Sequence, residues 1–239
     1  MKILVPDYYA DFHCIAGRCR HTCCAGWEVS IDEESLARYR TDAEIAPYID
    51  ETDTPRFRLT EGERCPFLNE NKLCTLILRR GEDILCQTCR DHPRFRNFWT
   101  ERTEIGLGLV CEEAARLILS RPAPMRLVTL SEDGDEPELP EDEAWLMDLR
   151  EQLWGGISGN GPEARLMEYL IFRHLPDALY DDRVEERIAF IGRSFREITE
   201  AWSRTDGSIE AIAECARAWS YAVEYDDEEL EKRLSAENT

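Results

Sequence analysis

Apolar positions in the last third of the chain recur three or four residues apart. Val184, Ile188, Ile191, Phe195, Ile198 and Trp202 make one stripe, and Ile209, Ile212, Ala213, Ala216, Trp219 and Val223 make another. A spacing that averages 3.6 residues keeps such side chains on one helix face, so both segments predict amphipathic helices packed through that face. Trp145, Leu146, Leu149 and Leu153 predict a helix that ends at Gly155-Gly156 and Gly159-Asn160-Gly161, and a further one spans about Pro162 to Leu175. Between Ser131 and Glu143 the pattern lapses into eight acidic residues, two prolines and a glycine, which reads as a solvated linker. The charged tail from Asp226 to Thr239 predicts fraying.

The front of the chain has no such period. Asp32 can cap a short helix, Glu33 to Arg40, with Leu36 and Tyr39 on one face. Phe57-Arg58-Leu59 and Met125 to Leu130 predict brief strands, Phe98 to Leu109 has mixed β character, and Glu112 to Leu119 reads as a helix begun by Cys111. Residues 1 to 30 mix aromatics, glycines and four cysteines, the chemistry of loops around a site. The resulting expectation is a mainly α protein. A cysteine-rich, loop-laden half (1–122) would bind metal and pack, across an acidic linker (123–143), on a C-terminal helical bundle (144–239).

Composition changes the picture in two ways. With 239 residues and 43% hydrophobic side chains, the chain can bury a core without covalent staples. A formal charge of -21 repels nucleic-acid phosphates and anionic lipid, which argues against nucleic-acid or membrane partners and favours a basic one, such as a lysine-bearing protein segment.

Cysteine placement carries the chemistry. Cys14, Cys19, Cys23, Cys24, Cys65, Cys74, Cys86, Cys89 and Cys111 all precede residue 112, and Cys215 stands apart on the last stripe as a small buried hydrophobe. The apolar run Ile3-Leu4-Val5 stops at Pro6-Asp7, far short of a signal-peptide core, and no stretch reaches the ~20 apolar residues of a membrane span. A cytoplasmic location follows as the expectation, where reduced thiols gathered in such density hold metal rather than form disulfides. The spacings lack paired C-x2-C knuckles and a following H-x3-5-H, so a standard zinc finger does not fit. Thiolates with few histidines favour an iron–sulfur cluster or a zinc held by four sulfurs, and spacing leaves both open. Cys86-x2-Cys89 reads equally as a ligand pair or as one ligand, Cys89, with Cys86 packed.

Several ordered blocks resemble the flagellin lysine N-methylase family. They are Pro6-Asp7-Tyr8-Tyr9 with Phe12 and Cys14, then Cys19-x3-Cys23-Cys24-x-Gly26-Trp27 with Ile31-Asp32. Cys65-Pro66-Phe67-Leu68-Asn69, Leu73-Cys74, Thr88-Cys89-Arg90, Pro93-Arg94 and Cys111-x-Glu113-Ala114-Ala115-Arg116 continue the likeness over about the first 120 residues. The adjacent-cysteine block around Cys23-Cys24 and the Cys65-Pro66-Phe67-Leu68 block also resemble small zinc- or iron-chelating domains. The family resemblance implies a methyl transfer from S-adenosylmethionine to lysine side chains of flagellin, with a 4Fe-4S cluster. The implied ligand pool is Cys14, Cys19, Cys23, Cys24, Cys65, Cys74, Cys89 and Cys111. Arg90 and Arg94 are candidates to hold the donor's carboxylate by bidentate hydrogen bonds, or else they pair with local acids. Tyr8, Tyr9 and Asp11, beside the first cluster, are candidates to take the lysine proton. The rival expectation is a non-enzymatic iron or zinc store, or an electron carrier. No glycine motif fits a strand–loop–helix nucleotide fingerprint.

Overall fold

The computed structural model describes residues 2–132, 134 and 138–236. In chain order its elements begin with strand β1 (Lys2–Pro6), helix α1 (Glu33–Arg40) and the short strands β2 (Ile49–Asp50) and β3 (Arg56–Phe57). Helices α2 (Thr75–Arg80) and α3 (Gln87–Asp91) follow, then strands β4 (Arg94–Phe98) and β5 (Arg102–Leu107), helix α4 (Glu112–Leu119) and strand β6 (Leu127–Glu132). The rest is helical: α5 (Glu141–Gly155), α6 (Pro162–His174), α7 (Ala178–Asp181), α8 (Val184–Trp202), α9 (Ile209–Val223) and α10 (Asp227–Leu234). Helix predominates, as the periodicity predicts.

The chain forms two compact units, Cys14–His92 and a discontinuous one made of residues 1–13 with Pro93–Thr239. These limits differ from the expected boundaries at 122 and 143. The reason lies in β1. The apolar run Ile3-Leu4-Val5, expected to be loop, is a strand inside a four-stranded mixed sheet of order β4-β5-β1-β6. It runs parallel to β5 (Ile3 opposite Thr103) and antiparallel to β6 (Val5 opposite Val128), with an irregularity at Ile3/Leu4. A strand flanked on both sides is a short continuous apolar run rather than an alternating one, which is why its sequence looks featureless. The brief strand expected over Met125 to Leu130 is β6, at Leu127–Glu132; of the acidic stretch that follows, residues 133 and 135–137 lie outside the described residues. Likewise the tail holds α10, capped by Asp226, which accepts a hydrogen bond from the Glu229 N–H at 3.0 Å.

In the discontinuous unit one core joins sheet and helices. Leu107, Leu109, Ala115 and Ile118 meet Leu166, Leu170 and Phe172 of α6, with Phe190 and Ile198 of α8 and Ala216 and Val223 of α9. Full burial of each large member contributes about 1.5–3 kcal/mol. Gly106 marks the tightest contact: a methyl group there would run into the rings of Phe95 and Phe172. Glu104 on β5 is fully buried and accepts from both terminal nitrogens of Arg150 on α5, at 2.6 and 2.8 Å. The Cys14–His92 unit has its own core of Val29, Ile31, Leu36, Tyr39, Ile45, Phe57, Phe67 and Leu76, joined by Cys65 and Cys86.

Candidate metal centre

Six cysteines of the Cys14–His92 unit, Cys23, Cys24, Cys65, Cys74, Cys86 and Cys89, line one cavity of about 560 Å3, counting the part open to solvent. Trp27, Tyr39, Phe57, Phe67, Leu76, Ile77, Leu85 and His92 complete its wall. None of the ten cysteines is joined to another in a disulfide.

Local structure explains how distant positions converge. The Cys65 N–H donates to the Cys24 carbonyl at 2.8 Å, and the Gly26 N–H to the Glu63 carbonyl at 3.0 Å, so the first cluster is zipped antiparallel to residues 63–65. Gly26 has φ +84°, a left-handed conformation that glycine adopts without strain and that turns the chain immediately after the cysteine pair. The Leu68–Cys74 bridge and the Thr75 N–H to Phe67 carbonyl bond (2.8 Å) return Cys74 beside Cys65, at the start of α2. Cys86 and Cys89 sit at the start and on the first turn of α3. Asp32 ties that helix to α1: its carboxylate accepts from the Ser35 N–H at 2.9 Å and from the Gln87 N–H at 2.7 Å. One short side chain thus caps one helix and positions the other.

The electrostatics are those of crowded, dried-out sulfur. Burial pushes the Cys65 thiol up to about 11, with the Cys74, Cys86 and Cys23 sulfurs adding to it. Cys23 is raised by its hydrogen bond with Cys24 and by burial of the thiol, although the residue as a whole is exposed. Cys86 and Cys89 are hydrogen-bonded to each other, which lowers the Cys86 thiol and raises that of Cys89. Tyr39 is raised by burial and by these two sulfurs. A cation would reverse every one of these penalties, releasing protons as it bound.

Six sulfurs with almost no competing oxygen ligand are a soft donor set, suited to iron–sulfur clusters or zinc. Among the described residues no group of three or more His, Cys, Asp or Glu side chains is arranged to hold a single metal ion.

Several expected site residues fall elsewhere. Cys14 and Cys19 belong to this unit but do not line the cavity; the Cys14 sulfur accepts from the Ala16 N–H at 3.4 Å, and Cys19 follows a 3-10 turn at Ala16–Arg18. Cys111 belongs to the discontinuous unit, at the start of α4. Cys86, which spacing left undecided, is fully buried in the cavity wall. Sequence reasoning missed the aromatic wall altogether, though Tyr39 on the buried face of α1 was a visible signal.

The unit division also falls between His13 and Cys14, separating the acid–base candidates from the cysteines they neighbour in sequence. Tyr8 is 2% exposed, lies under the Arg121 guanidinium at 4.9 Å and is raised by burial. A phenol held neutral in a core is a packing residue, not a proton acceptor at neutral pH. The Tyr9 hydroxyl accepts from Arg94 Nε at 2.7 Å, and the guanidinium of Arg94 stacks over the Tyr9 and Phe12 rings. Asp11 is exposed at the end of a 3-10 turn. In the other unit Arg90 donates to the Gln87 side chain at 3.2 Å.

Fold and site together define a helix-rich protein with a thiol-lined cavity in a compact insertion. The chain is similar to two lysine-N-methylases and to a flagellar biosynthetic protein. Over 139 residues the chain is 27% identical to the lysine-N-methylase of Salmonella choleraesuis (strain SC-B67), a match covering 53% of this chain and 35% of that protein. The lysine-N-methylase of Salmonella typhimurium is 28% identical over the same length and coverage. The flagellar biosynthetic protein FliU of Salmonella muenchen is 26% identical over 139 residues, 82% of its length. The chain therefore spans about a third of the two lysine-N-methylases it matches. No family model and no solved structure matches it. Among the described residues no helix is long and apolar enough to cross a membrane.

Proposed function

We propose that this chain serves protein lysine N-methylation, with S-adenosylmethionine as donor, flagellin or a similar protein as acceptor and a 4Fe-4S cluster on its cysteines. The observation that carries the reading is the convergence of six thiols on one cavity in a chain similar to lysine-N-methylases. Ligands would come from Cys23, Cys24, Cys65, Cys74, Cys86 and Cys89. When bound, a cluster supplies a redox-active, Lewis-acidic centre.

The chain's own residues do the remaining work. Tyr39, Phe57, Phe67 and Leu76 keep bulk water off the sulfurs, which strengthens any charge interaction at the centre. Asp32 fixes α3 and hence the Cys86–Cys89 pair. Methyl transfer needs a deprotonated lysine in line with the donor methyl. Of the candidates for that proton, Asp11 offers an exposed carboxylate, Tyr9 a hydroxyl engaged by Arg94 and Tyr8 a buried hydroxyl. The charge of -21 favours approach of a lysine-bearing substrate.

Anaerobic purification with iron, sulfide and zinc analysis tests the centre, and transfer of labelled methyl from S-adenosylmethionine to flagellin tests the activity. A brown, zinc-free protein that labels flagellin is the expected result. Stoichiometric zinc without visible absorption would refute the cluster, and an intact cluster without label transfer would refute the methylation.

A further inference from the structure

Besides the cysteines, three of the described side chains bring a nitrogen or oxygen to the wall of the thiol cavity: Trp27, Tyr39 and His92. Two of them turn their hydrogen to a backbone carbonyl. The Trp27 indole N–H donates to the Cys23 carbonyl at 2.7 Å, and the Tyr39 hydroxyl donates to that of Ile84. Each of these groups has a single hydrogen, so neither keeps a donor for sulfur. His92 differs in kind. An imidazole has two ring nitrogens, and whichever group one of them meets, the other can face the sulfurs.

The ring is placed from two sides. The His92 backbone N–H donates to the Thr88 carbonyl at 3.1 Å, which sets the residue at the end of α3, one helical turn beyond Cys89. Its ring lies against Trp27, with centroids 5.6 Å apart and planes inclined by 42°, and Trp27 is held in turn by the Cys23 carbonyl. His92 is half-buried, so a charge interaction there is screened less than in bulk water.

Six sulfurs line the cavity and a 4Fe-4S cluster takes four, so no nitrogen ligand is required. A hydrogen-bond donor is another matter. Reduction adds negative charge to a cluster and its sulfurs, and N–H groups directed at sulfur favour the reduced form.

We propose that the His92 imidazole donates a hydrogen bond to sulfur of the centre and thereby raises its reduction potential. The inference rests on the cluster reading of this cavity and not on methyl transfer.

The test uses the full chain purified anaerobically, with iron, sulfide and zinc measured first. Reductive titration followed by electron paramagnetic resonance then gives the one-electron potential. H92L, which removes the donor, should lower the equilibrium constant for reduction by about tenfold or more, about 59 mV for one electron. H92Q keeps a side-chain N–H and should recover most of that difference at the iron content of the parent. In parent protein carrying isotopically labelled histidine, the reduced cluster should show a weak nitrogen coupling that H92Q loses. Equal potentials in the parent and H92L, or an H92Q that matches H92L, would overturn the proposal. A parent without histidine coupling overturns it even where H92L fails to fold, and a strong coupling of the kind a bound imidazole gives overturns it in favour of ligation. Zinc in place of iron removes the cluster reading and this inference with it, and shows in the metal analysis before any potential is read.

Discussion

Replacing Glu104 by glutamine removes one charge from a pair that is sealed in the discontinuous unit. Glu104 is 0% exposed and Arg150 is 1%. The carboxylate accepts from Arg150 at 2.6 and 2.8 Å and from Arg102 Nε at 2.9 Å, while the Arg150 guanidinium lies 5.0 Å from the Trp99 ring and 4.8 Å from that of Trp154. An amide preserves the shape but leaves Arg150 charged, desolvated and under-paired. Breaking a buried pair from one side costs about 3–5 kcal/mol, and a urea dependence of about 1–3 kcal/mol per molar turns that into a midpoint lower by at least ~1 M. Five of the six tryptophans belong to this unit, so their fluorescence reports its unfolding. The double variant E104L/R150M should recover most of the loss, because neither charge then remains. Acid supplies an independent check. Burial works to raise Glu104, but the bonds from Arg150 outweigh it and hold the carboxyl below the usual range. Its contribution is therefore complete above the ordinary carboxylate value of about 4.3 and is lost as pH falls below it, and E104Q should flatten that acid limb. A midpoint shift under ~0.3 M in E104Q, with an unchanged acid limb, would refute this account of the pair.

Further outcomes follow from the other contacts. C65S and C86S should each reduce bound iron in anaerobically prepared protein by half or more, whereas C14S and C215S should retain parental iron, as read by metal analysis and visible absorption. D32A should lower stability by about 1–2 kcal/mol in urea titration, through the lost cap of α1. Hydrogen bonds from Gln87 and Ser35 overcome burial and hold Asp32 at about 2, so its stabilisation is present above about 3.9 and disappears as pH falls towards 2; D32A should lack that component of acid unfolding. G106A should cost about 1–3 kcal/mol by forcing Phe95 or Phe172 off its packing position, measured by thermal unfolding.

Much of the helical architecture was legible because its information is local. The stripes from Val184 to Trp202 and from Ile209 to Val223 have the period of the helix that buries them, and α8 and α9 run over those residues. Asp32 was readable as a cap for the same reason, its partner being Ser35 three residues on. Its bond to Gln87 was not readable, since nothing near Asp32 announces a partner 55 positions away. The strand β1 shows the same limit: its neighbours begin at Arg102 and Leu127, so its role became visible only when those segments came together. The cysteines divide similarly. Their types and density announced a soft donor set, because thiol chemistry belongs to each residue alone. Which sulfurs share a cavity was decided by the turn at Gly26 and by the pairings of residues 24–26 with 63–65 and of Leu68 with Cys74, which gather Cys23, Cys24, Cys65 and Cys74. The Asp32–Gln87 bond fixes the start of α3 and so Cys86, while Cys14 and Cys19 are left aside. Periodicity, capping and side-chain chemistry are properties of neighbours along the chain. Convergence belongs to closed loops, whose ends meet only after the core between them has formed.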